Sequence, residues 1–381
     1  FLTRTRYGGI TKLPLPLLRL QMKKDLYSPG SVPGLIHPRS KTMQKELTLI
    51  TGAGGHIGNV LTRKLCALGW QVRAMLQPGE SRLPTANLPI EIVEADVLDP
   101  SALQQAMQGV KRVFHLAGQI SILPGKQPHL QDINVRGTDN VLQACEQAGV
   151  ERLVYTSSIH ALTRMPHGEL VDEHAGYDPD NPYGAYDQSK ALATLQVQQA
   201  AQAGKIDAVI ACPTGVIGPF DFRGSMMGAY IAQALSGKRT PWVQGAYDFV
   251  DVRDVAAGLV AACLQGQNGE SYILSGWRVS IPALLDAVTR TTGTAFKRVW
   301  VPLGLARFAA LFTPYYYRLT HATPRFTPYS IEVLQSNSNI SHAKASTQLG
   351  YSARPLLATL ADTAIWLAEQ ARGLTASSVA V

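Results

Sequence analysis

The sequence is sparing with cysteine, and its cysteines form no recognisable pattern. Four occur in 381 residues, with no CxxC pair and no metal-ligand spacing: Cys66, Cys145, Cys212 and Cys263. This excludes a disulfide framework and predicts that the chain holds no metal. All four lie in apolar stretches, so we expect buried free thiols and a reducing, cytoplasmic location.

Long apolar runs are absent as well. No stretch of about 18 residues is free of polar side chains, which argues against an ordinary membrane-spanning helix. The nearest candidate, 303–319, is interrupted by Arg307 and Pro314. We expect an amphipathic helix there that packs on a C-terminal domain, and membrane contact is the less favoured interpretation.

Positive charge is scarce outside the N-terminal segment. The chain carries a net charge of +8, and residues 1–43 hold eight Lys and Arg against Asp25 alone, so 8 − 7 leaves +1 for the remainder. The body of the chain therefore presents no basic face for nucleic acid. We interpret 1–43, which ends at Met43, as a disordered basic extension, with a membrane-surface or targeting segment as the alternative.

From residue 45 onward, short apolar strands alternate with amphipathic helices. This rhythm predicts an α/β fold, a doubly wound parallel sheet (Rossmann fold) with helices on both faces. The predicted strands are Leu47–Ile50, Gln71–Leu76, Ile90–Val97, Arg112–Gly118, Arg152–Ser158, Asp207–Pro213 and Glu270–Gly276.

The rhythm changes after Pro213, where Gly- and Pro-rich loops and helices prevail. We therefore expect a Rossmann domain made of 44–215 and 244–276. A smaller, mostly helical domain for substrate binding would comprise 216–243 and 277–372, followed by a tail at 373–381.

A glycine-rich turn follows the first predicted strand. Gly52, Gly55 and Gly58 recur in TGAGGHIG, and His56 and Ile57 open the next helix. Such glycines permit a tight turn, close approach of a pyrophosphate and close packing of helix on strand. The helix start offers free N–H groups to phosphates. The pattern predicts a dinucleotide site.

The second strand bears on the choice between NAD and NADP. It is followed by Gln77, with no acid before Glu80, while Arg73 and Arg82 are near. An acid would bind the ribose hydroxyls, and an arginine a 2′-phosphate. We therefore favour NADP and keep NAD as the alternative. At the end of the third strand, Asp96, with Val97 beside it, is placed to meet the adenine ring.

A tyrosine and a lysine stand one helical turn apart in YDQSK. Tyr186 and Lys190 share a helix face, and an ammonium group favours the ionised form of a nearby phenol. Ser158, or Ser157 as the fallback, ends the fifth strand and could polarise a carbonyl oxygen. The group predicts proton transfer at a ketone or alcohol.

Together these motifs resemble the extended short-chain dehydrogenase/reductase family, also called the NAD-dependent epimerase/dehydratase superfamily. The similarity covers roughly 45–275, and it is greatest to the dihydroflavonol-4-reductase and 3β-hydroxysteroid dehydrogenase branch. The matching motifs are TGAGGHIG, ADVLD (Ala95 to Asp99), HLAG (His115 to Gly118), NVRGT (Asn134 to Thr138), YTSS (Tyr155 to Ser158), the Tyr186/Lys190 pair and PTGVIGP (Pro213 to Pro219).

The resemblance implies roles for the matched residues. Ser158 would hydrogen-bond the substrate oxygen, Tyr186 would be the general acid/base, and Lys190 would hold the nicotinamide ribose and lower the tyrosine pKa. It also implies a homodimer. Other matched residues would line the cofactor or brace it: Ala117 and Gly118, Pro213 and Val216 near the nicotinamide, and Asn134 behind the site.

The expected substrate is a small carbonyl or alcohol compound with lipophilic character. Candidate pocket residues are mostly apolar or aromatic: Gln119, Ile120, Ser121, His160, Tyr183, Phe220, Met226, Met227, Tyr230 and Trp242. A local hydrogen bond is the favoured interpretation of His160. A structural ion-pair cluster is favoured for Asp251, Arg253 and Asp254.

Three functions are left open. The leading one is an NAD(P)-dependent oxidoreductase acting on a ketone or secondary alcohol. The first alternative is a sugar-nucleotide epimerase or dehydratase that keeps NAD bound, although Cys212 stands where many such epimerases carry arginine. The second alternative is a non-catalytic dinucleotide-sensing protein, which the presence of Tyr186 disfavours.

Overall fold

The computed structural model describes residues 46–125, 127–320 and 326–372, and of Arg318 only the backbone. The predicted basic extension, 1–43, and the predicted tail, 373–381, lie outside the described residues. The boundaries of the two expected domains stay a prediction.

Within the described residues, seven parallel strands form the central sheet in the order β3-β2-β1-β4-β5-β6-β10. These strands are β1 (Leu47–Thr51), β2 (Gln71–Leu76), β3 (Glu91–Glu94), β4 (Val110–His115), β5 (Arg152–Thr156), β6 (Ala208–Pro213) and β10 (Ser271–Leu274). The order reverses beside β1, where open parallel sheets bind their ligands. The predicted Rossmann fold is confirmed.

Helices cover the sheet in two packed groups. One group contains α1 (His56–Ala67) and α7 (Val252–Gln265), which pack on each other. The other contains α2 (Pro100–Ala106), α4 (Gly137–Ala148) and α5 (Ala185–Gln202), with α4 in contact with both others. Two short segments, α3 (Pro128–Gln131) and a π-helical turn at Asp132–Arg136, lead into α4. Apart from the edge strand β3, which has no buried residue, the strands are largely buried because helices lie on both faces.

Shorter strands and the remaining helices lie beyond the sheet. A three-stranded sheet joins β7 (Gly215–Ile217), β9 (Ala246–Asp251) and β11 (Trp277–Ser280), and a pair joins β8 (Thr240–Trp242) to β12 (Arg298–Trp300). The other helices are α6 (Met226–Leu235), α8 (Ile281–Thr292), α9 (Leu303–Thr320), α10 (Pro328–Gln335), α11 (Ala343–Leu349) and α12 (Leu356–Ala371).

The acidic and basic residues at the start of α7 form an ion-pair network, as expected. Arg253 binds Asp251 and Asp362, each at 2.7 Å, and Arg354 binds Asp254 at 2.7 Å. The network ties α7 to α12 and to the loop before it, so its role is structural.

The sequence-based expectations of element length need small corrections. The third strand covers Glu91–Glu94 only, because Asp96 turns its carboxylate back to the Leu98 N–H at 2.9 Å and ends the pairing. Three of the four cysteines are buried and Cys66 is half-buried; all are free thiols. Among the described helices, none has the length and apolar character needed to cross a bilayer.

Candidate active site

The glycine turn between β1 and α1 is built as a cradle. Gly52 has φ +68°, and a Cβ there would lie 2.8 Å from the Ala117 nitrogen. A Cβ on Gly58 would lie 2.2 Å from the Gly52 oxygen. Gly55, the N-cap of α1, offers no side-chain acceptor to the first N–H groups of the helix. Those groups are available to an anion such as a pyrophosphate.

Polar side chains hold the end of β4 against this turn. The Thr51 hydroxyl accepts the Ala117 N–H at 3.1 Å and lies 2.8 Å from the His115 ring. Asn134, in the π-helical turn, accepts the Gln119 N–H at 2.7 Å and donates to the Ser189 hydroxyl at 2.8 Å. Asn134 therefore braces the segment containing Gly118 against α5 and is engaged on every side.

The remaining residues proposed to contact the cofactor end neighbouring strands. Asp96 and Val97 follow β3, Pro213 is the last residue of β6, and Val216 lies in β7, paired with Val250. Since the carboxyl ends of parallel strands meet at one edge of a sheet, Asp96 and Pro213 lie at the same edge as the glycine turn. His56 is tied down, because its Nε2–H donates to the Pro219 carbonyl at 2.9 Å.

The region after β2 differs from the expectation of a basic 2′-phosphate pocket. Arg73 binds Glu91 at 2.9 Å, and Arg82 binds Glu94 at 2.8 Å. Glu80 bends back to the glycine turn instead: it accepts the Gln77 N–H at 3.1 Å and pairs with Arg223. A Cβ on Gly54 would lie 2.0 Å from the Glu80 carboxylate. A carboxylate thus stands beside the predicted dinucleotide site.

The tyrosine and lysine of the motif lie in the first turns of α5. Lys190 is buried, and its ammonium donates to the Tyr155 hydroxyl at 3.0 Å and to the Thr156 carbonyl at 2.7 Å. It also lies 4.6 Å from the centroid of the Tyr155 ring. Tyr155, on β5, is thus a partner of Lys190 that the sequence had shown only as part of the YTSS motif.

The two serines after β5 have different surroundings. The Ser157 hydroxyl lies 2.6 Å from the Thr194 hydroxyl of α5. The Ser158 hydroxyl accepts the His160 N–H at 3.2 Å, and its interaction with the Tyr186 phenol acts to lower the pKa of that phenol. Ser158 therefore faces the tyrosine, while Ser157 packs toward the interior of the fold.

Burial governs the protonation of this group. Burial raises the pKa of Tyr186 to about 12, although the interaction with Ser158 opposes the rise. Burial also lowers the pKa of Lys190 to about 7. The tyrosine pKa therefore moves opposite to the sequence-based expectation, and at neutral pH Tyr186 carries its proton.

A buried polar network borders the tyrosine. Asp187 accepts from the Tyr329 hydroxyl at 2.5 Å and from Arg164 at 3.3 Å. The His160 ring lies 2.9 Å from the Tyr247 hydroxyl and 3.3 Å from the Tyr329 hydroxyl, and its centroid is 6.1 Å from that of Tyr186. The His160 ring is therefore hydrogen-bonded, as expected, but its partners lie 87 and 169 residues away in the chain and are not local.

The charge of Asp187 is supported from several sides. Burial alone would raise its pKa, but the His160 ring at 3.7 Å, the hydrogen bond from Tyr329 and the Arg164 charge outweigh this and lower it. Sequence reasoning had not selected Asp187, Tyr247 or Tyr329. Tyr329 is 142 residues from Asp187 in the chain, and no local spacing signals such a contact.

The candidate pocket residues divide into two groups. Ile120, Tyr183 and Met226 are exposed, and Met227 and Trp242 are half-buried. Phe220 and Tyr230 are engaged elsewhere: Arg63 lies 5.0 Å over the Phe220 ring, and the Tyr230 hydroxyl donates to the Pro241 carbonyl at 2.9 Å. Tyr183 is engaged as well, because Arg164 lies 3.5 Å over its ring, so that Ile120, Met226, Met227 and Trp242 remain available to line a substrate site.

Comparison with known proteins agrees with this geometry. The model of the NAD dependent epimerase/dehydratase family matches residues 48–275. A Methylococcus capsulatus protein named sterol demethylase protein B is 34% identical over 325 residues, which cover 85% of this chain and 98% of its own.

A Synechocystis protein, named provisionally as a dihydroflavonol 4-reductase, is 32% identical over 83% of this chain and 93% of its own. Among solved structures, the crystal structure of gox2253 is 30% identical, with a TM-score of 0.75 over 86% of this chain and 99% of that one.

Proposed function

Because the chain belongs to the NAD-dependent epimerase/dehydratase family, within the extended short-chain dehydrogenases/reductases, we propose that it reduces a lipophilic ketone to a secondary alcohol. The family and its reductase relatives make it an enzyme of the NAD(P)-dependent oxidoreductase type. The observation that carries the proposal is the grouping of Ser158, after β5, with Tyr186 and Lys190, in the first turns of α5, at the sheet edge that holds the glycine cradle.

The chain's residues fit a nicotinamide dinucleotide. A Cβ on Gly52 or Gly58 would fill the cradle, and the uncapped start of α1 suits a pyrophosphate. Asp96 would face the adenine ring, and Ala117, Gly118, Pro213 and Val216 would line the rest of the cofactor. When bound, the reduced dinucleotide supplies the hydride that the reaction needs.

The tyrosine supplies the proton. Ser158 would donate a hydrogen bond to the substrate carbonyl oxygen and hold it near Tyr186. As the carbonyl carbon gains hydride, the oxygen takes the Tyr186 proton, which leaves a secondary alcohol and a tyrosinate. Lys190, one helical turn from Tyr186 and with a pKa of about 7, can carry a positive charge near neutral pH and would stabilise the tyrosinate.

Glu80 supports a choice of cofactor. A carboxylate beside the glycine turn would accept ribose hydroxyls, and its ion pair with Arg223 engages a guanidinium that could otherwise bind a 2′-phosphate. Arg73 and Arg82, the arginines that had favoured NADP, are paired with Glu91 and Glu94. We therefore propose NAD in preference to NADP, in place of the opposite sequence-based expectation.

The substrate proposal rests on the pocket residues expected from the sequence. Ile120, Met226, Met227 and Trp242 offer apolar and aromatic surface, which suits a ring-bearing ketone better than a nucleotide sugar. The names of two relatives, which refer to a sterol and to a dihydroflavonol, agree with this chemistry.

The test is a turnover assay with NADH and NADPH against lipophilic ketones and nucleotide sugars. The proposal predicts net oxidation of NADH with at least one ketone, in equal amounts with the alcohol formed. Redox-neutral conversion of a nucleotide sugar by protein that retains NAD, with no ketone reduced, would support the epimerase instead.

A further inference from the structure

Helix α9 (Leu303–Thr320) presents its large apolar side chains to the outside. Seven residues that share one face of the helix are more than half exposed: Leu305, Phe308, Leu311, Phe312, Tyr315, Tyr316 and Leu319. Leu319 reaches 84% exposure. We call this set the α9 face. Contiguous exposed apolar surface on this scale marks an interaction site.

The opposite side of α9 is small and packed. Ala306 and Ala310 are buried in a cluster with Val243 and Ile331. Pro314 lacks an N–H, and the Thr313 hydroxyl donates to the Ala310 carbonyl at 2.8 Å in its place. The helix therefore packs on the rest of the protein, as expected. Small side chains make that contact, and the large apolar side chains point to solvent.

The α9 face adjoins the candidate active site through one helix. Ile331 of α10 packs against α9, and Tyr329 of the same helix hydrogen-bonds Asp187. Thr327, the N-cap of α10, donates to the Ile122 carbonyl in the segment after β4. A partner on the α9 face would therefore sit one helix away from the residues that border Tyr186.

Between Asp286 and Glu332, the sequence that contains α9 carries charge of one sign. Residues 287–331 contain six Lys and Arg and no Asp or Glu. Arg290, Lys297 and Arg307 are exposed among the described residues, while Arg298 pairs with Asp286. Aromatic Trp300, Tyr315 and Tyr316 are exposed in the same segment. Exposed apolar and aromatic residues flanked by cations are the composition of a helix that lies in a membrane interface.

We propose that the α9 face docks the enzyme on an anionic lipid bilayer, with α9 parallel to the surface. Lipid acyl chains would cover Phe308, Phe312 and Leu319, and anionic headgroups would meet Lys297 and Arg307. No described helix is long and apolar enough to cross the bilayer, so the contact is peripheral. Docking in this way would bring the site close to lipid-dissolved ketones.

Charge disfavours two other occupants. In a twofold homodimer built on this face, the cations of 287–331 would meet their own copies, because the same patch occurs on both subunits. The N-terminal segment 1–43 carries a charge of +7, so it too would be repelled. An anionic surface is complementary to the cations beside the α9 face, whereas a second copy of the chain and the segment 1–43 are not.

Vesicle flotation of the full-length protein tests the proposal. The triple variant Phe308→Ser/Phe312→Ser/Tyr315→Ser removes apolar area at three exposed positions, and Leu170→Ser/Leu357→Ser removes it at two exposed positions elsewhere. Phosphatidylcholine vesicles with about 30 mol % phosphatidylglycerol should bind the wild type and the double variant. We expect the triple variant to bind about tenfold or more weakly, and pure phosphatidylcholine to bind the wild type more weakly.

Several outcomes would overturn the proposal. One is a wild type that ignores anionic vesicles at low salt; another is an equal loss in both variants. A triple variant that changes from dimer to monomer by light scattering, with vesicle binding intact, would assign the face to a second copy. If Arg19→Gln/Lys23→Gln/Lys24→Gln abolishes binding and the triple variant does not, the N-terminal segment is the contact.

The docking does not depend on the proposed reaction. Reduction of a water-soluble ketone should be the same in the triple variant and the wild type. A protein that binds vesicles but reduces no ketone would fail the proposed function alone, and one that reduces ketones but binds no vesicles would fail the docking alone.

Discussion

The two halves of the site are specified in different ways. On the dinucleotide side, Gly52, Gly55 and Gly58 lie within seven consecutive residues, and their geometry follows from the turn itself. On the substrate side, Asp187 and Tyr329 meet from 142 residues apart. The first side depends on backbone space and the second on long-range contacts, so substitutions should affect them differently.

Among the substitutions that compare the two sides, the largest expected effect is on the dinucleotide side. Gly58→Ala places a Cβ 2.2 Å from the Gly52 carbonyl oxygen. Neither atom can rotate away, because each is attached directly to the backbone, so the turn must open. We expect dinucleotide affinity to fall about a hundredfold, together with a few kcal/mol of stability. Titration calorimetry and denaturation measure the two quantities.

Gly304→Ala is the matched control for that change. It adds the same methyl group in α9, where nothing lies within 4 Å, and should leave both quantities within about 1 kcal/mol of the wild type. If Gly58→Ala had as little effect on affinity and stability as Gly304→Ala, the glycine turn would have room for a Cβ at Gly58.

The next effect concerns Lys190, which is buried in α5. Its pKa falls from 10.5 to about 7 on folding because of burial, so between these values the unfolded state binds more protons. Wild-type stability should then rise with pH across the window, by up to about 1.4 kcal/mol per unit. Lys190→Met removes the free-energy cost of burying a charged ammonium group. The variant should therefore be more stable than the wild type at pH 6, and this difference in stability should shrink toward pH 10.

Denaturant titrations at several pH values would show this. The exposed Lys205 provides the control: Lys205→Met should leave the pH dependence of stability as it is in the wild type. A Lys190→Met protein with the wild-type pH slope would mean that the lysine stays charged in the fold.

A smaller effect is expected on the substrate side. Tyr329→Phe removes the hydroxyl that donates to Asp187 at 2.5 Å and lies 3.3 Å from the His160 ring. We expect kcat/KM for the ketone to fall about tenfold with an unchanged dinucleotide Kd, because a charged hydrogen bond contributes roughly 1.5–3 kcal/mol. The pH profile of kcat/KM should shift as well.

Tyr351→Phe gives a matched comparison, since its buried hydroxyl donates to the Ser275 carbonyl at 2.9 Å. It should destabilise the fold to a similar extent without the kinetic loss. If the two variants had equal kcat/KM, the Tyr329 hydroxyl would matter only for the stability of the fold. The substrate side would then not depend on the long-range contact between Tyr329 and Asp187.

The smallest effect tests cofactor choice. Glu80→Gln keeps the shape of the side chain but removes the charge beside Gly54. The ratio of NADPH affinity to NADH affinity should rise about fivefold. Glu94 pairs with Arg82, and the control substitution Glu94→Gln should change this ratio little. A wild type that prefers NADPH would contradict the assignment of Glu80.

The contrast explains what could be predicted from sequence. Glycine spacing and apolar periodicity are local, so the sheet, the cradle and the Tyr186/Lys190 pair were all accessible. Tyr155 as the acceptor of Lys190, and Tyr329 as the partner of Asp187, depend on how β5 and α10 pack against α5. The direction of the Tyr186 pKa shift depends on burial, which no motif records. The outward turn of α9 depends on which face its small residues anchor.

The central claim is that Tyr186 donates the proton in ketone reduction. Its most direct test is the single-turnover reduction rate of Tyr186→Phe, with dinucleotide affinity measured in parallel. The account predicts a rate lower by about a hundredfold to ten-thousandfold and a Kd within about twofold of the wild type, because the cradle lies elsewhere. A Tyr186→Phe protein that reduces the ketone at the wild-type rate would contradict it.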